Sequence, residues 1–270
     1  MLNIIRADLY RIFRGKGVYI TLILLLALLV MHGVTGIAGG IIIETATVAI
    51  DSEGNIIHTN IPPKFTGSTA PFMMMINTDN LFYFFLPFII FIAAADFSTD
   101  AVKNVLSNGM SRIKYYSAKL ILCCVFCIIV ISLNIIVPII TATIVRGFGG
   151  DFNMDFIGRV LRPFSAQLFM CLAVTCIGVF FVFATKRTAA VIGAYIAFFF
   201  LPLLLTAIVS TINDNLMFLF HYEIVMNIKL LATIDAAATG DIIRAFIIGG
   251  FYMLASTVGG IFLFKRSEIR

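Results

Sequence analysis

Tryptophan is missing from this 270-residue chain, and charged side chains make up only 12% of it against 61% hydrophobic residues. So small a polar complement cannot cover a water-soluble globule, which excludes soluble enzymes and binding domains as a class. No stretch shows the alternation of apolar and polar residues by which a barrel closes in lipid. There is also no G-x-x-x-x-G-K-[ST] loop to cradle phosphates, so no ATP site is expected on this chain. Cysteine is limited to Cys123, Cys124, Cys127, Cys171 and Cys176, all inside apolar runs, which implies no external disulfide framework. The C-x-x-C spacing of Cys124 and Cys127 would suggest metal or redox chemistry in a soluble protein. In a lipid-embedded helix, cysteine acts instead as a small hydrophobe.

What the chain has in abundance is apolar runs of about 18 to 25 residues, each able to cross a hydrocarbon core of about 30 Å at about 1.5 Å per residue. Backbone groups in lipid must be satisfied within the segment, so helices are expected. The reading is an all-α integral membrane protein, one transmembrane domain over 1–270, with six spans at about 18–43, 81–95, 120–145, 164–184, 189–210 and 242–264. Ahead of the first span, Leu2, Ile5, Leu9, Ile12 and Phe13 recur at helical spacing. They predict an amphipathic interfacial helix over 1–17, anchored to an anionic leaflet by Arg6, Arg11, Arg14 and Lys16. The run that follows is longer than a signal-peptide core of about 7 to 15 residues, and cleavage is not expected. Tyrosines near the span ends, among them Tyr10, Tyr19, Tyr83 and Tyr222, serve as interfacial anchors in place of tryptophan.

Between the first two spans, β-branched stretches flank Asp51-Ser52-Glu53-Gly54-Asn55 and predict a small extracellular hairpin, ended by Pro62-Pro63. The 72–76 segment is expected to dip back to the interface, and Pro87 to kink the second span. Arg146 to Pro163 reads as a glycine-rich loop with a short amphipathic piece at 152–161. The 211–241 stretch, with Asp214, Glu223, Lys229 and Asp235, reads as one or two external helices resting on the surface. With six spans, 13 of the 19 Lys and Arg lie on the side shared by both termini, the 96–119 stretch and the Lys186-Arg187 turn. The positive-inside rule makes that side cytoplasmic.

Transporters driven by ions, and intramembrane proteases, keep ionisable groups at membrane depth. The middles of these spans offer only Asn134, Gln167, hydroxyls and His32, so both classes are disfavoured. Three consecutive methionines, Met73 to Met75, cannot share one helix face and read as apolar contact rather than a soft-metal site. His58 and His221 are isolated. Gly249-Gly250 and Gly259-Gly260 predict close helix packing in the last span, either within the chain or across a dimer.

Held between two apolar runs, 96–119 reads DFSTDAVKNVLSNGMSRIKYYSAK. An acidic residue closes the second span; a short helix, an Asn-Gly-Met-Ser-Arg turn and a lysine entering the third span follow it. This order, with the basic N-terminal helix and the external segment before the last span, resembles the permease subunits of type-2 ATP-binding-cassette (ABC) exporters. Within that family it is most like Gram-positive permeases that export, or give immunity to, antimicrobial and cytolytic peptides, the group that includes phenol-soluble-modulin exporter permeases. Asp96 stands where the family has Glu, and Asp100-Ala101 where Gly-Thr is usual.

The resemblance implies a transport subunit without enzymatic activity of its own. ATP and Mg would sit on a separate cytoplasmic ATPase, and a second permease copy would complete the path for a peptide cargo across the bacterial cell membrane. It also implies a coupling helix around Thr99 to Ser107. Asp100, Lys103, Asn104 and Asn108 would give its polar face; Val102, Leu106 and Met110 an apolar ridge for the ATPase groove; Arg112, Lys114 and Lys119 its membrane-level anchors. Two other classes stay open: a peptide-immunity or sensor component acting through 44–80, and an ion-coupled carrier or channel.

Overall fold

The computed structural model describes residues 2–36, 47–50, 56–59, 65–99, 101–212, 218, 221–234 and 238–266. Among them five helices are long and apolar enough to cross a membrane: α2 (Lys16–Thr35), α4 (Thr78–Ser98), α6 (Arg112–Arg146), α7 (Met154–Thr185) and α10 (Thr239–Arg266). A further helix, α8 (Thr188–Ile212), carries a shorter apolar stretch over Thr188–Pro202. Four short helices complete the set: α1 (Leu2–Arg14), α3 (Ala70–Ile76), α5 (Ala101–Ser107) and α9 (Ile224–Ala232). The chain is therefore an all-α, multi-pass membrane protein apart from one small ribbon. In it β1 (Thr47–Ile50) and β2 (Ile56–Thr59) run antiparallel, with Thr47 opposite Thr59 and Ile50 opposite Ile56. The turn at Asp51 to Asn55, Pro62-Pro63 and the end of the expected first span lie outside the described residues.

α7 and α10 form the longest packed pair, and α6 fills the space between α2 and α7. Close approach is bought by glycine: a Cβ at Gly260 would come within 2.5 Å of the Tyr116 hydroxyl, and one at Gly249 within 2.4 Å of the Met170 sulfur. The paired glycines of the last span thus serve packing inside the chain. Met74 and Met75 are buried and Met73 packs beside them, as apolar filling between α3 and α6.

Several expectations change on folding. α1 does not reserve its apolar stripe for lipid: Ile12 is buried and Ile4, Ile5 and Leu9 pack against the protein's own core. The helix that holds the expected third span begins at Arg112, about two turns ahead of the apolar run. The amphipathic piece at 152–161 is no loop; α7 begins at Met154, with the Asn153 side chain capping the Phe156 N–H at 2.9 Å, and runs unbroken through Pro163. In α4, Pro87 removes one backbone donor, and the helix widens into a π-type turn over Ile90–Ala94 before its last turn, Ala95–Ser98.

α9, expected to rest on the surface, packs into the bundle, and α3 lies against it. Ile228 and Leu231 are fully buried, and the Gln167 amide donates to the carbonyls of both Met75 (2.8 Å) and Ile228 (2.9 Å). Thr78 donates to the oxygen of the same amide at 3.1 Å. Arg146 at the end of α6 donates to the last carbonyls of α2, those of Val34 (2.8 Å) and Thr35 (2.7 Å), and a cation is favoured at that helix end.

Candidate functional site

At the end of the bundle where α1, α4, α5 and α6 meet, four charged side chains close on one another. Asp8 falls within the apolar stripe of α1, one turn after Ile4 and Ile5 and one before Ile12, so folding carries it inward. Arg11 follows it on the same side at i+3 and approaches it at 3.2 Å. Asp96 is delivered by the last turn of α4 and is 3% exposed. Tyr115 and Lys119, four residues apart on one face of α6, come from the other side.

Lys119 is 0% exposed; its ammonium lies 2.7 Å from Asp8 and 2.5 Å from Asp96. Asp96 also accepts from the Arg11 guanidinium and the Tyr115 hydroxyl. Arg11 reaches on to the Ile92 carbonyl at 3.4 Å, one turn back along α4. Two carboxylates thus meet two cations, so the cluster carries no net charge. That balance and the number of donors offset the desolvation cost of several kcal/mol per buried ion. Burial pushes the Asp8 carboxyl above its ordinary range, with Lys119 pulling it back in part. For Arg11 burial opposes the charge, but the bond to Asp96 and the two carboxylate charges outweigh it and raise its pKa.

Beside the charges lies a knot of rings. Phe183 of α7 stands 4.7 Å from Tyr116, 4.8 Å from Phe264 and 5.4 Å from Phe97. Tyr115 belongs to both groups, its hydroxyl on Asp96 and its ring 6.0 Å from Phe264. Arg112 donates to the Phe264 carbonyl (3.0 Å) and the Lys265 carbonyl (2.7 Å), tying the end of α10 to the start of α6. Five helices, α1, α4, α6, α7 and α10, are thus joined around the end of α4 that leads into α5.

The expected coupling residues divide between the two sides of α5. Asn104, Ser107 and Asn108 are exposed, as is Thr99 at the end of α4; Lys103 is half-buried. Val102 is 1% exposed, and Leu106 and Met110 pack on the core beside it. The apolar ridge assigned to a partner's groove therefore faces the chain's own interior. Asp100 lies outside the described residues. Lys119 is a buried ion-pair partner rather than a headgroup anchor, and Arg11 reaches into the cluster; Arg6, Arg14 and Lys16 remain exposed.

Lys119 and Asp96 lie near the ends of membrane-length helices, outside the span middles expected to lack charge, and pair with each other. Asp8, Tyr115 and the ring knot were not singled out as site residues. The signals were an acid on an apolar helix stripe and a Tyr/Lys pair at i, i+4. The five cysteines are free, and four of them are buried. Among the described residues no three His, Cys, Asp or Glu side chains gather to hold a metal.

No family model and no curated protein matches the chain.

Proposed function

We propose that the chain is the membrane subunit of an ATP-driven exporter of the type-2 ABC kind, moving amphipathic or hydrophobic peptides out of a bacterial cell. The observation that carries this reading is the ionic and aromatic junction at the root of α5. A push on the exposed face of α5, at Asn104, Ser107 and Asn108, is passed on to α1, α4 and α6 through Asp96 and Lys119, and to α7 and α10 through Tyr115 and Phe183. A lone surface loop has no need of such a footing. Because the cluster has neutral charge and is closed by its own partners, it suits a mechanical joint better than an ion-coupling site.

In this reading α8 counts as the sixth span, both termini and α5 face the cytoplasm, and the β1–β2 ribbon and the α3 and α9 helices lie outside. A separate ATPase docks on the polar face of α5. ATP and Mg bind there, and a second permease copy pairs with this one, most simply as a homodimer. ATP-driven approach of two ATPases biases the pair between conformations by its differential affinity for them. Catalysis belongs to the partner.

The test is co-purification of the chain with the products of its neighbouring genes, looking for a bound ATPase, using wild type and an Asn104→Arg, Asn108→Arg double variant. Both positions are exposed, so the fold should survive. Loss of ATPase from the double variant, with an unchanged elution profile for the permease itself, is expected. Retention of the ATPase and of its stimulated hydrolysis would remove α5 as the docking site. Transport that persists with no ATPase present would favour the ion-coupled class, and peptide binding without transport the sensor class.

A further inference from the structure

At the end of the bundle away from α5, Glu223 lines two clefts that lie on either side of α8. One, of about 210 Å³, is walled by Phe82, Tyr83, Phe199 and Phe200, with Asp79 and Lys229 at its polar edge. The other, of about 350 Å³, is walled by Phe181, Phe198, Leu205 and Tyr252. The larger falls within the size range of small-ligand sites, about 300 to 1,000 Å³, and the smaller lies just below it; both share their usual make-up of many apolar walls and few polar groups.

The charges do not balance here as they do at the junction. Lys229 stands 3.0 Å from Asp79, which accounts for one carboxylate. Among the described residues no cation lies within ion-pairing distance of Glu223. Its side chain makes no capping bond to α9 either; only its backbone carbonyl is used, accepting from the Asn227 amide at 2.6 Å. Burial pushes the Glu223 carboxyl above the ordinary range, and Lys229 offsets this only in part. A carboxylate held half out of water between aromatic walls, with no cation within ion-pairing distance among the described residues, is complementary to one kind of visitor.

We propose that Glu223 and its two clefts bind an amphipathic primary amine, the ammonium on the carboxylate and the attached apolar groups against the aromatic walls. An anion is repelled by Glu223, and a neutral apolar molecule fills the walls but leaves the carboxylate unpaired. The ammonium can come from a lysine or amino terminus of a peptide, or from an aminolipid headgroup. The site does not depend on the reading of α5 as an ATPase dock, since its occupancy is measured on the purified chain alone.

The experiment uses the purified full chain in phosphatidylcholine nanodiscs with octylammonium as the probe, octanol as the neutral control, and empty discs as reference. Octylammonium is expected to bind at least tenfold more tightly than octanol, and Glu223→Gln to lower that affinity about tenfold while leaving octanol unchanged. Glu223→Asp should restore part of the loss, and Phe199→Ala should weaken both probes. Displacement of octylammonium by a lysine-bearing amphipathic peptide, but not by its norleucine counterpart, identifies a peptide source. Displacement on adding phosphatidylethanolamine to the discs identifies a lipid one. Equal affinity of wild type and Glu223→Gln for octylammonium, or octanol binding as tightly as the amine, overturns the proposal.

Discussion

Replacing Lys119 by methionine removes the only fully buried cation at the junction while keeping most of the side chain's volume. Asp8 and Asp96 then face each other with Arg11 alone, and Arg11 has 41% of its side chain in contact with solvent. Breaking a buried pair by deleting one partner costs about 3–5 kcal/mol, because an uncompensated charge is left behind. No solvent discount applies, since the side chains of Lys119, Asp8 and Asp96 are 1%, 9% and 5% exposed. At about 2–4 °C per kcal/mol for a chain of this size, Lys119→Met should lower the melting temperature by roughly 6–20 °C.

The diagnostic variant is the double one, Asp96→Asn with Lys119→Met, which takes away one charge of each sign. Asp8 and Arg11, 3.2 Å apart, remain as a balanced pair. The double variant should therefore be more stable than Lys119→Met alone. Fluorescence-detected size-exclusion melting of wild type, both singles and the double gives the coupling energy directly. An additive cycle, or a Lys119→Met melting temperature within about 2 °C of wild type, would sink the account of the junction as a closed electrostatic joint.

Asp8, whose pKa burial raises, binds protons more readily folded than unfolded. Between about pH 4 and its raised value this group's contribution to stability falls as pH rises, so the stability advantage of wild type over Asp8→Asn should grow with acidification across that interval; a flat difference would contradict the shift. At neutral pH Asp8→Asn should cost less than Asp96→Asn, because Asp96 alone accepts from Arg11, Tyr115 and Lys119, and thermal melts rank the two directly. Gln167→Leu strips the Met75 and Ile228 carbonyls of a buried donor and should cost about 1–3 kcal/mol, read as faster hydrogen exchange confined first to α3 and α9. Gly260→Ala forces a methyl against the buried Tyr116 ring and should cost about 1–3 kcal/mol in melting experiments, whereas Gly240→Ala, with open space around it, should cost less than about 0.5 kcal/mol.

Helical, membrane-embedded character was legible in composition alone, since a chain this poor in charge has no other folded solution. The isolation of 96–119 between apolar runs also located one helix of the junction. What one-dimensional reading misjudged was the destination of each apolar or charged face. Val102 and Leu106 have the spacing of a ridge that could meet any groove, and only the packed bundle shows that their own core takes them up. Lys119, at the start of an apolar run, has the sequence of a snorkelling anchor. Its pairing depends on Asp8, 111 residues earlier, and a contact of that separation leaves no local periodicity to read. Helix continuity through Pro163 was missed because the residues before it look like a glycine-rich loop, while the Asn153 cap that starts the helix is a single side chain.

The wide turn at Ile90–Ala94 lies immediately ahead of Asp96. A π-type turn accommodates one residue more than an α-turn, and one residue of α-helix corresponds to about 100° of rotation. That local excess sets the angular phase at which α4 delivers its terminal carboxylate. Were those five residues to rewind as ordinary α-helix, Asp96 would swing away from Lys119 and Tyr115 with no change in the helix's overall direction. The placement of Asp96 thus rests on that one wide turn as much as on the packing of the helix ahead of it.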